Sequence, residues 1–574
     1  MHELVNSDVL VIGGGAAGLR AAVETSDAGA SVVVVVKKGL GNSGATAYGV
    51  AETAGFNVAD GEIDPLDNPD IHYQDIIEAS LGMCDERLAR ILVEDAYPRM
   101  KDLEKWGVVF EKDNNKYLEI QGCFASRPRM HIIKGHGIPI VKALGREIRK
   151  RGIKILENIM ISNLLIEDGR CRGAIGEDKT GKFFIFDTKS TILATGGAGR
   201  LFRFNLNPED ITGDGYAMAC RVGAELINME FIQAGVGTIH PTENLLNAWL
   251  WSLKPKLRNK DGKGLLSDYV SSNLVEKCHL NKSEHFPFSS RDTSKYIEIG
   301  IHTEIKEGRV TDKGGILLDF THVDDAFLKT FSEKSNIGKM WNLTQEWFIN
   351  RGVDLTKQPL QIVVHAHAIN GGVRINEHAQ STISGLYAAG EVAGGPHGAD
   401  RLGGNMMVAC QVFGVRAGRY AAKSAKRTKD KPMNKKLINK EKHRILKILQ
   451  TEGSRSASEL KRQIQQTMWQ NVLVVKSRQS LEECKHDLQK IRKSFEENLK
   501  AEKKEVFEAL EVQNLLDVAE IMTNAASTRE ESRGSHYRED YPILDNTNWN
   551  KIISIRSIKG KMRLSFISLP KFRI

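Results

Sequence analysis

A short apolar run, Asp8-Val-Leu-Val-Ile12, opens onto the glycine-rich stretch Gly13–Gly18, and a helical pattern continues to about Ala28. A second run, Ser31 to Val36, is almost wholly valine. Continuous apolar runs bounded by turn signals suit strands buried on both faces, and the change of period between them predicts a βαβ unit. Helical spacing predicts helices over about 70–108 and 137–151. Short alternating runs between 155 and 195 predict a meander that returns to the sheet. From about 236 to 354 the texture changes: most of the tryptophans and several Lys-rich loops lie there, which predicts a separate α+β insertion. Strand-turn-strand texture resumes over Ile375–Glu391, followed by a helix from about Asn405 to Lys426.

From Lys435 to about Ala526 the chain is rich in Lys, Glu and Leu at helical spacing and nearly free of Gly and Pro, so a helical bundle or hairpin is expected. The tail, Ile552 to Ile574, alternates basic and apolar residues and predicts a strand pair with a Lys-Gly turn. Internal repeats and low-complexity segments are absent.

At 574 residues the chain is long enough for about three domains. Met1 to Ser7 has no basic leader, and no run of about 18 apolar residues occurs, so neither a signal peptide nor a membrane span is expected, and the cytoplasm is the expected compartment. The net charge of +9 is mild for this length. It suits an acidic partner protein or anionic substrates. Nucleic acid is not expected, because the basic residues alternate with Glu on solvated helix faces. The seven cysteines include no CxxC pair, so neither a disulfide framework, a metal site nor an iron–sulfur ligand set is expected on this chain.

The glycine stretch reads GxGxxG between a strand and a helix. Gly13 permits the tight turn, Gly15 lets backbone approach a pyrophosphate, and Gly18 lets the helix pack on the strand. Ala16 and Ala17 open the helix, whose free N–H groups face the phosphates. The acid usual at the end of the second strand is replaced by Lys37 and Lys38, which argues against plain NAD use. Ala194-Thr195-Gly196-Gly197 ends one further strand, and Gly385-Leu-Tyr-Ala-Ala-Gly390-Glu391 ends another. In flavoproteins of this architecture the first covers the dinucleotide and the acid of the second binds the ribityl chain. Asp214 of Thr212-Gly-Asp-Gly215 is the acid expected by the adenosine half. The alternative for Glu391 and Asp214 is an ordinary exposed acid at a turn.

Together these segments resemble the succinate dehydrogenase/fumarate reductase flavoprotein family, which also includes L-aspartate oxidase and the adenylylsulfate reductase α subunit. Further matches are His397-Gly-Ala-Asp400-Arg401-Leu-Gly-Gly-Asn405, where the family reads HGANRLGGN, His367-Ala-Ile-Asn-Gly-Gly372, and a C-terminal marker, Glu531-Ser-Arg-Gly-Ser-His536 to Pro542. The resemblance implies a Rossmann-type α/β FAD-binding domain (1–235 and 355–426), an inserted α+β capping domain (236–354) and a C-terminal helical domain with a basic tail (427–574). It places Ser43, Gly44, Ala45, Thr46, Gly49, Asn405 and Met406 at the flavin nucleotide. Residues 42–49 lack the histidine that carries FAD covalently in several members, so non-covalent FAD is expected.

In the family, Arg401 and His367 hold a substrate carboxylate, and Arg291 of Ser290-Arg-Asp292 moves a proton. The alternatives are an internal salt bridge for Arg401, a satisfied core histidine for His367 and a helix-start pair with Asp292 for Arg291. The family's FHPTG histidine carries over to His240 only across an insertion, Ala234 to Ile239, and the downstream Thr-Glu pair is unrecognisable. Ala248–Gly262 resembles the adenylylsulfate reductase α subunit instead. The resemblance implies hydride transfer to or from a small carboxylate and an iron–sulfur partner. A stand-alone enzyme like L-aspartate oxidase and a catalytically silent flavoprotein stay open as alternatives.

Overall fold

The computed structural model describes residues 2–48, 53–266, 270–429, 431 and 433–568. Its central sheet runs in the order Lys154–Glu157, Val32–Val36, His2–Ile12, Phe183–Leu193, Arg170–Asp178, Ile159–Glu167, with Leu386–Ala388 also paired to Phe183–Leu193. The valine strand pairs in parallel with the first strand, Val9 opposite Val32, and the first strand pairs in parallel with Phe183–Leu193, Val11 opposite Ile192. The valines at 33–36 and Val9–Val11 are buried, as the unbroken apolar runs require. The helix Ala16–Asp27 crosses one face and packs against the long helix Asn405–Arg427. The strands between 154 and 193 form the expected meander.

A second, antiparallel sheet has the order Asn244–Leu245, Ile232–His240, Leu360–Ile369, Ile316–Asp319, Lys256–Arg258. Its strand Ile232–His240 is continuous through position 236, where the change of sequence texture begins. The helices Ser272–Glu284, Lys295–Lys306 and Asn336–Ile349 accompany it. A small sheet of Gly55–Asn57, Pro128–Ile132 and Glu119–Gln121 lies beside the central one.

The helical stretch expected over 70–108 is two helices, Pro69–Ser80 and Glu86–Lys105. Leu81 and Gly82 take positive φ and end the first, and the Asp85 side chain caps the second by accepting from Arg87 N. The C-terminal region contains the helices Lys435–Leu449, Ala457–Met468, Arg478–Asn498 and Val506–Thr528. The tail forms the hairpin Ile552–Ile558 with Lys561–Ile567, turned by Lys559 and Gly560, both at positive φ as a two-residue hairpin demands. It does not stand alone: Ile552–Ile558 also pairs with Leu226–Ile227. Among the described residues no helix is long and apolar enough to cross a membrane.

Candidate functional site

A long cavity follows the first glycine turn. Its wall includes Gly13–Ala17, Lys37, Ser43–Thr46, Ala194–Gly196, Asp214, Glu391, Met406, His367 and Arg401. The three glycines of the turn do different work. A Cβ on Gly13 would stand 2.2 Å from Ala194 O, and one on Gly18 would stand 2.0 Å from Gly13 O. Both are needed for backbone to approach backbone. A Cβ on Gly15 would meet only Thr46 Oγ1, at 4.0 Å, because it would project into the cavity. The helix that starts at Ala16 has no side-chain cap and no acid in its first turn, so its N-terminal N–H groups are left for an anion.

At one end of the cavity Lys37 Nζ lies 2.8 Å from Asp214 Oδ2, 2.9 Å from Glu511 Oε1 and 2.7 Å from Thr212 Oγ1. Burial pulls the lysine pKa down, but the two carboxylates outweigh it and the group is held charged. Acids therefore do stand at the end of the valine strand, although they come from two distant segments. Nearby, Ser43 Oγ and Gly44 N both donate to Asp210 Oδ2, while Asp210 Oδ1 and Thr195 Oγ1 are buried without a hydrogen-bond partner. Glu391 is walled in by Gly197 and accepts from Ile369 N at 3.0 Å, and burial raises its pKa. The open Gly15, the unpartnered polar atoms and the uncapped helix fit a dinucleotide lying along this groove.

At the other end, Arg401 is buried. Its Nε donates to Gln233 Oε1 at 3.0 Å, its Nη1 to Leu402 O at 3.1 Å, and its Nη2 lies 3.4 Å from His367 Nε2. Burial, followed by the field of Arg401, pushes His367 down to about 3, so the imidazole is neutral at ordinary pH. Among the described residues no carboxylate lies within ion-pair distance of Arg401. Arg401 thus stands on the cavity wall as a desolvated cation without a direct ion pair; burial works against its charge and the field of Glu391 favours it. Asn247, also on the wall, has a buried Nδ2 without a partner.

Arg291 does not make the alternative helix-start pair with Asp292. Its Nε and Nη2 donate to Asp400 Oδ2 at 3.2 and 2.9 Å, and its guanidinium lies 4.6 Å from the centre of the Phe124 ring. Asp292 goes instead to His285 and to Ser294 N.

The FAD binding domain family matches residues 8–407, and the fumarate reductase flavoprotein C-terminal family matches residues 461–569. The chain belongs to the FAD-dependent oxidoreductases of the succinate dehydrogenase/fumarate reductase flavoprotein family. A fumarate reductase (CoM/CoB) subunit from Methanothermobacter marburgensis is 36% identical over 98% of this chain and 99% of its own. L-aspartate oxidase 1 of Ralstonia nicotianae is 30% identical over 94% of this chain and 96% of its own. The structure of Mycobacterium smegmatis Sdh1 in complex with UQ1 superposes with a TM-score of 0.84 at 27% identity, covering 100% of this chain and 95% of that one.

The FAD-dependent flavoprotein departs from the sequence reading at several positions. Lys38 is not on the cavity wall; it turns outward to Glu209, because its neighbour Lys37 takes the inward place. Gly18 lies behind the turn, packed on Gly13. Asn405 is buried behind the wall: its Oδ1 accepts from Asn57 Nδ2 at 2.7 Å and lies 3.0 Å from His72 Nε2. Arg291 is outside the wall, although Cys123, beside Phe124, is part of it. His240 is exposed at the far end of its strand, since the inserted residues carry it away from Gln233. Gly49 falls outside the described residues.

Gln233, Glu511, Asp400 and Asn247 were not expected at the site. Gln233 had a signal in its place directly before the Ala234–Ile239 insertion. Glu511, on a helix of ordinary composition, had none.

Proposed function

We propose that the flavoprotein moves a hydride between its flavin and a carbon of a small, carboxylate-bearing substrate. Bound FAD supplies a ring nitrogen, N5, that accepts or delivers the hydride. The observation that carries this reading is Arg401: a buried guanidinium with no carboxylate in contact, beside a neutral imidazole, needs an anion to complete it. Arg401 binds the substrate carboxylate, His367 and Asn247 orient it, and Phe286 and Trp249 help to exclude water from the same wall. Arg291, outside the wall and held by Asp400, is the proton carrier that the family match implies for the neighbouring carbon. Of the lysines and arginines on the wall, Lys37 is spent at the opposite end. On the wall itself the substrate end thus offers one guanidinium for a carboxylate, Arg291 standing outside it and paired with Asp400, which suits one carboxylate better than a symmetrical pair and extends the reading beyond succinate and fumarate.

Electrons pass to or from a separate iron–sulfur subunit. The seven cysteines are free thiols distributed over the fold. The name of the Methanothermobacter relative marks it as one subunit of an assembly. Cytoplasmic residence, with any membrane attachment through that partner, follows from the same reading.

The test uses purified holoprotein. Acid precipitation releases the yellow chromophore into the supernatant, as non-covalent FAD requires. Anaerobic addition of mono- and dicarboxylates to reduced or oxidised protein changes the flavin absorbance with one class of acid and turns over. If no carboxylate alters the flavin in either redox state, the substrate assignment fails. Rapid reoxidation by oxygen without a partner would support the stand-alone alternative that the 30% identical L-aspartate oxidase raises.

A further inference from the structure

Behind the cavity floor lies a cluster that the redox reading leaves unused. Glu119 and His131 are directly opposed on the antiparallel strands Glu119–Gln121 and Pro128–Ile132. Asp60 reaches them from the segment that follows Gly55–Asn57. His131 Nε2 lies 3.3 Å from Asp60 Oδ2 and 3.4 Å from Glu119 Oε1, and the three atoms all lie within 4.8 Å of one another. His131 is fully buried and Glu119 is 3% exposed. Yet His131 Nε2 and Glu119 Oε1 make no hydrogen bond. The other ring nitrogen, Nδ1, lies 3.1 Å from Arg129 O. A carbonyl can only accept, so Nδ1 donates to it and Nε2 is the ring nitrogen that faces the two carboxylates. This is the arrangement of a metal-binding histidine whose second nitrogen is anchored on the backbone.

We infer that Asp60, Glu119 and His131 bind a divalent transition-metal cation of the zinc class. Three independent features support it. The first is spacing. Ligand atoms held tetrahedrally at ~2.0–2.1 Å from a zinc ion stand roughly 3.3–3.4 Å apart, the separation found on both sides of Nε2.

The second is charge. The nearby cations have other obligations: Arg129 pairs with Asp67 and Asp75, Lys101 serves Glu104 and Tyr117, and Lys339 Nζ donates to Glu119 O rather than to its carboxylate. Two carboxylates, Glu119 buried and Asp60 at its open edge, face one imidazole and carry the charge that a dication cancels.

The third is ligand type. One imidazole with two carboxylates suits zinc or manganese better than calcium or magnesium, which favour oxygen alone. The Asp60 side chain is partly exposed and gives the ion an entry path and an open position. Because side chains alternate along a strand, His131 faces away from its neighbour Met130, which is on the cavity wall. The ion would therefore staple the small sheet from behind, without touching the substrate.

The test is metal content and affinity of the full-length holoprotein. After dialysis against a chelator, Zn2+ is restored and bound zinc is counted by mass spectrometry of the desalted protein. One equivalent per chain is expected, with Mn2+ competing and Ca2+ not competing. His131→Asn and Glu119→Gln lose that equivalent. Both side chains are buried, so Asp60→Asn, at the exposed edge, guards against misfolding: it keeps the flavin spectrum and binds zinc at least tenfold more weakly. Wild-type protein that takes up no zinc overturns the inference and leaves a protonated His131 shared by two carboxylates. So does an equivalent of zinc that persists at unchanged affinity in Asp60→Asn.

Discussion

Lys37, at the end of the valine strand, and Glu511, on the helix Val506–Thr528, meet 2.9 Å apart in a buried ion pair. Asp214 makes a second contact to the same ammonium. The C-terminal region is thereby fastened to the cofactor end of the cavity. Replacing Lys37 with Met leaves two carboxylates facing each other in a dry site. Stability falls by about 3–5 kcal/mol, the usual cost of removing one member of a buried pair, and FAD is retained poorly. Adding Glu511→Gln restores part of both, measured by thermal unfolding and by flavin carried through a desalting column.

Two glycines of the first turn separate folding from cofactor binding. Gly15→Ala puts a methyl group into open cavity, so apoprotein stability changes little while FAD affinity drops at least tenfold. Gly18→Ala drives a methyl group against Gly13 O and destabilises the protein whether or not FAD is present. Melting curves with and without added FAD distinguish the two; equal behaviour would contradict the assigned roles.

The two guanidiniums answer differently to substitution. Arg401→Gln removes a desolvated cation from the substrate carboxylate and costs about 2–5 kcal/mol of transition-state binding, roughly thirtyfold to several-thousandfold in kcat/KM. Arg401→Lys does not restore it, because an ammonium lacks the planar fork. Arg291→Gln removes turnover but leaves flavin binding intact. Asp400→Asn weakens the charge-assisted hold on Arg291, worth about 1.5–3 kcal/mol, and lowers kcat roughly tenfold to a hundredfold with a shifted pH profile. Unchanged kcat in Asp400→Asn would show that the pair is structural.

Glu177 gives the fold a pH dependence. It is buried on the strand Arg170–Asp178, and burial, with Glu441 nearby, raises its carboxyl to about 8. In the unfolded chain it titrates near the usual carboxylate value, about 4.3. Between these two pH values the folded state binds the extra proton, so this group's contribution to stability is full below the lower value and is lost as pH rises towards 8. The slope is at most about 1.4 kcal/mol per pH unit. Glu177→Gln flattens it and raises stability at pH 8, as denaturant titrations at pH 5 and pH 8 measure.

The hydrophobic runs and the glycine turn made the central sheet and the dinucleotide groove legible, because each depends on residues a few positions apart. The Lys559–Gly560 turn was legible for the same reason. The break at Leu81 was not, since a left-handed leucine carries no local signature. At the site, Arg401 and His367 were found through motifs, and the structure adds that the cation lacks a carboxylate in contact. His240 and Lys38 misled because a motif fixes residue type but not the strand register that decides which way a side chain faces. Glu511 and the Asp60–Glu119–His131 cluster come together only through tertiary packing, and their sequence separations match no short motif.

The C-terminal marker closes onto both segments that bear the guanidiniums, that of Arg291 and that of Arg401. Ser290 N donates to Gly534 O and Ser535 Oγ to Ala399 O, while the strand Ile552–Ile558 completes the sheet begun at Leu226–Ile227. The segments that carry Arg291 and Asp400 therefore gain these backbone anchors only when the C-terminal marker has folded onto them.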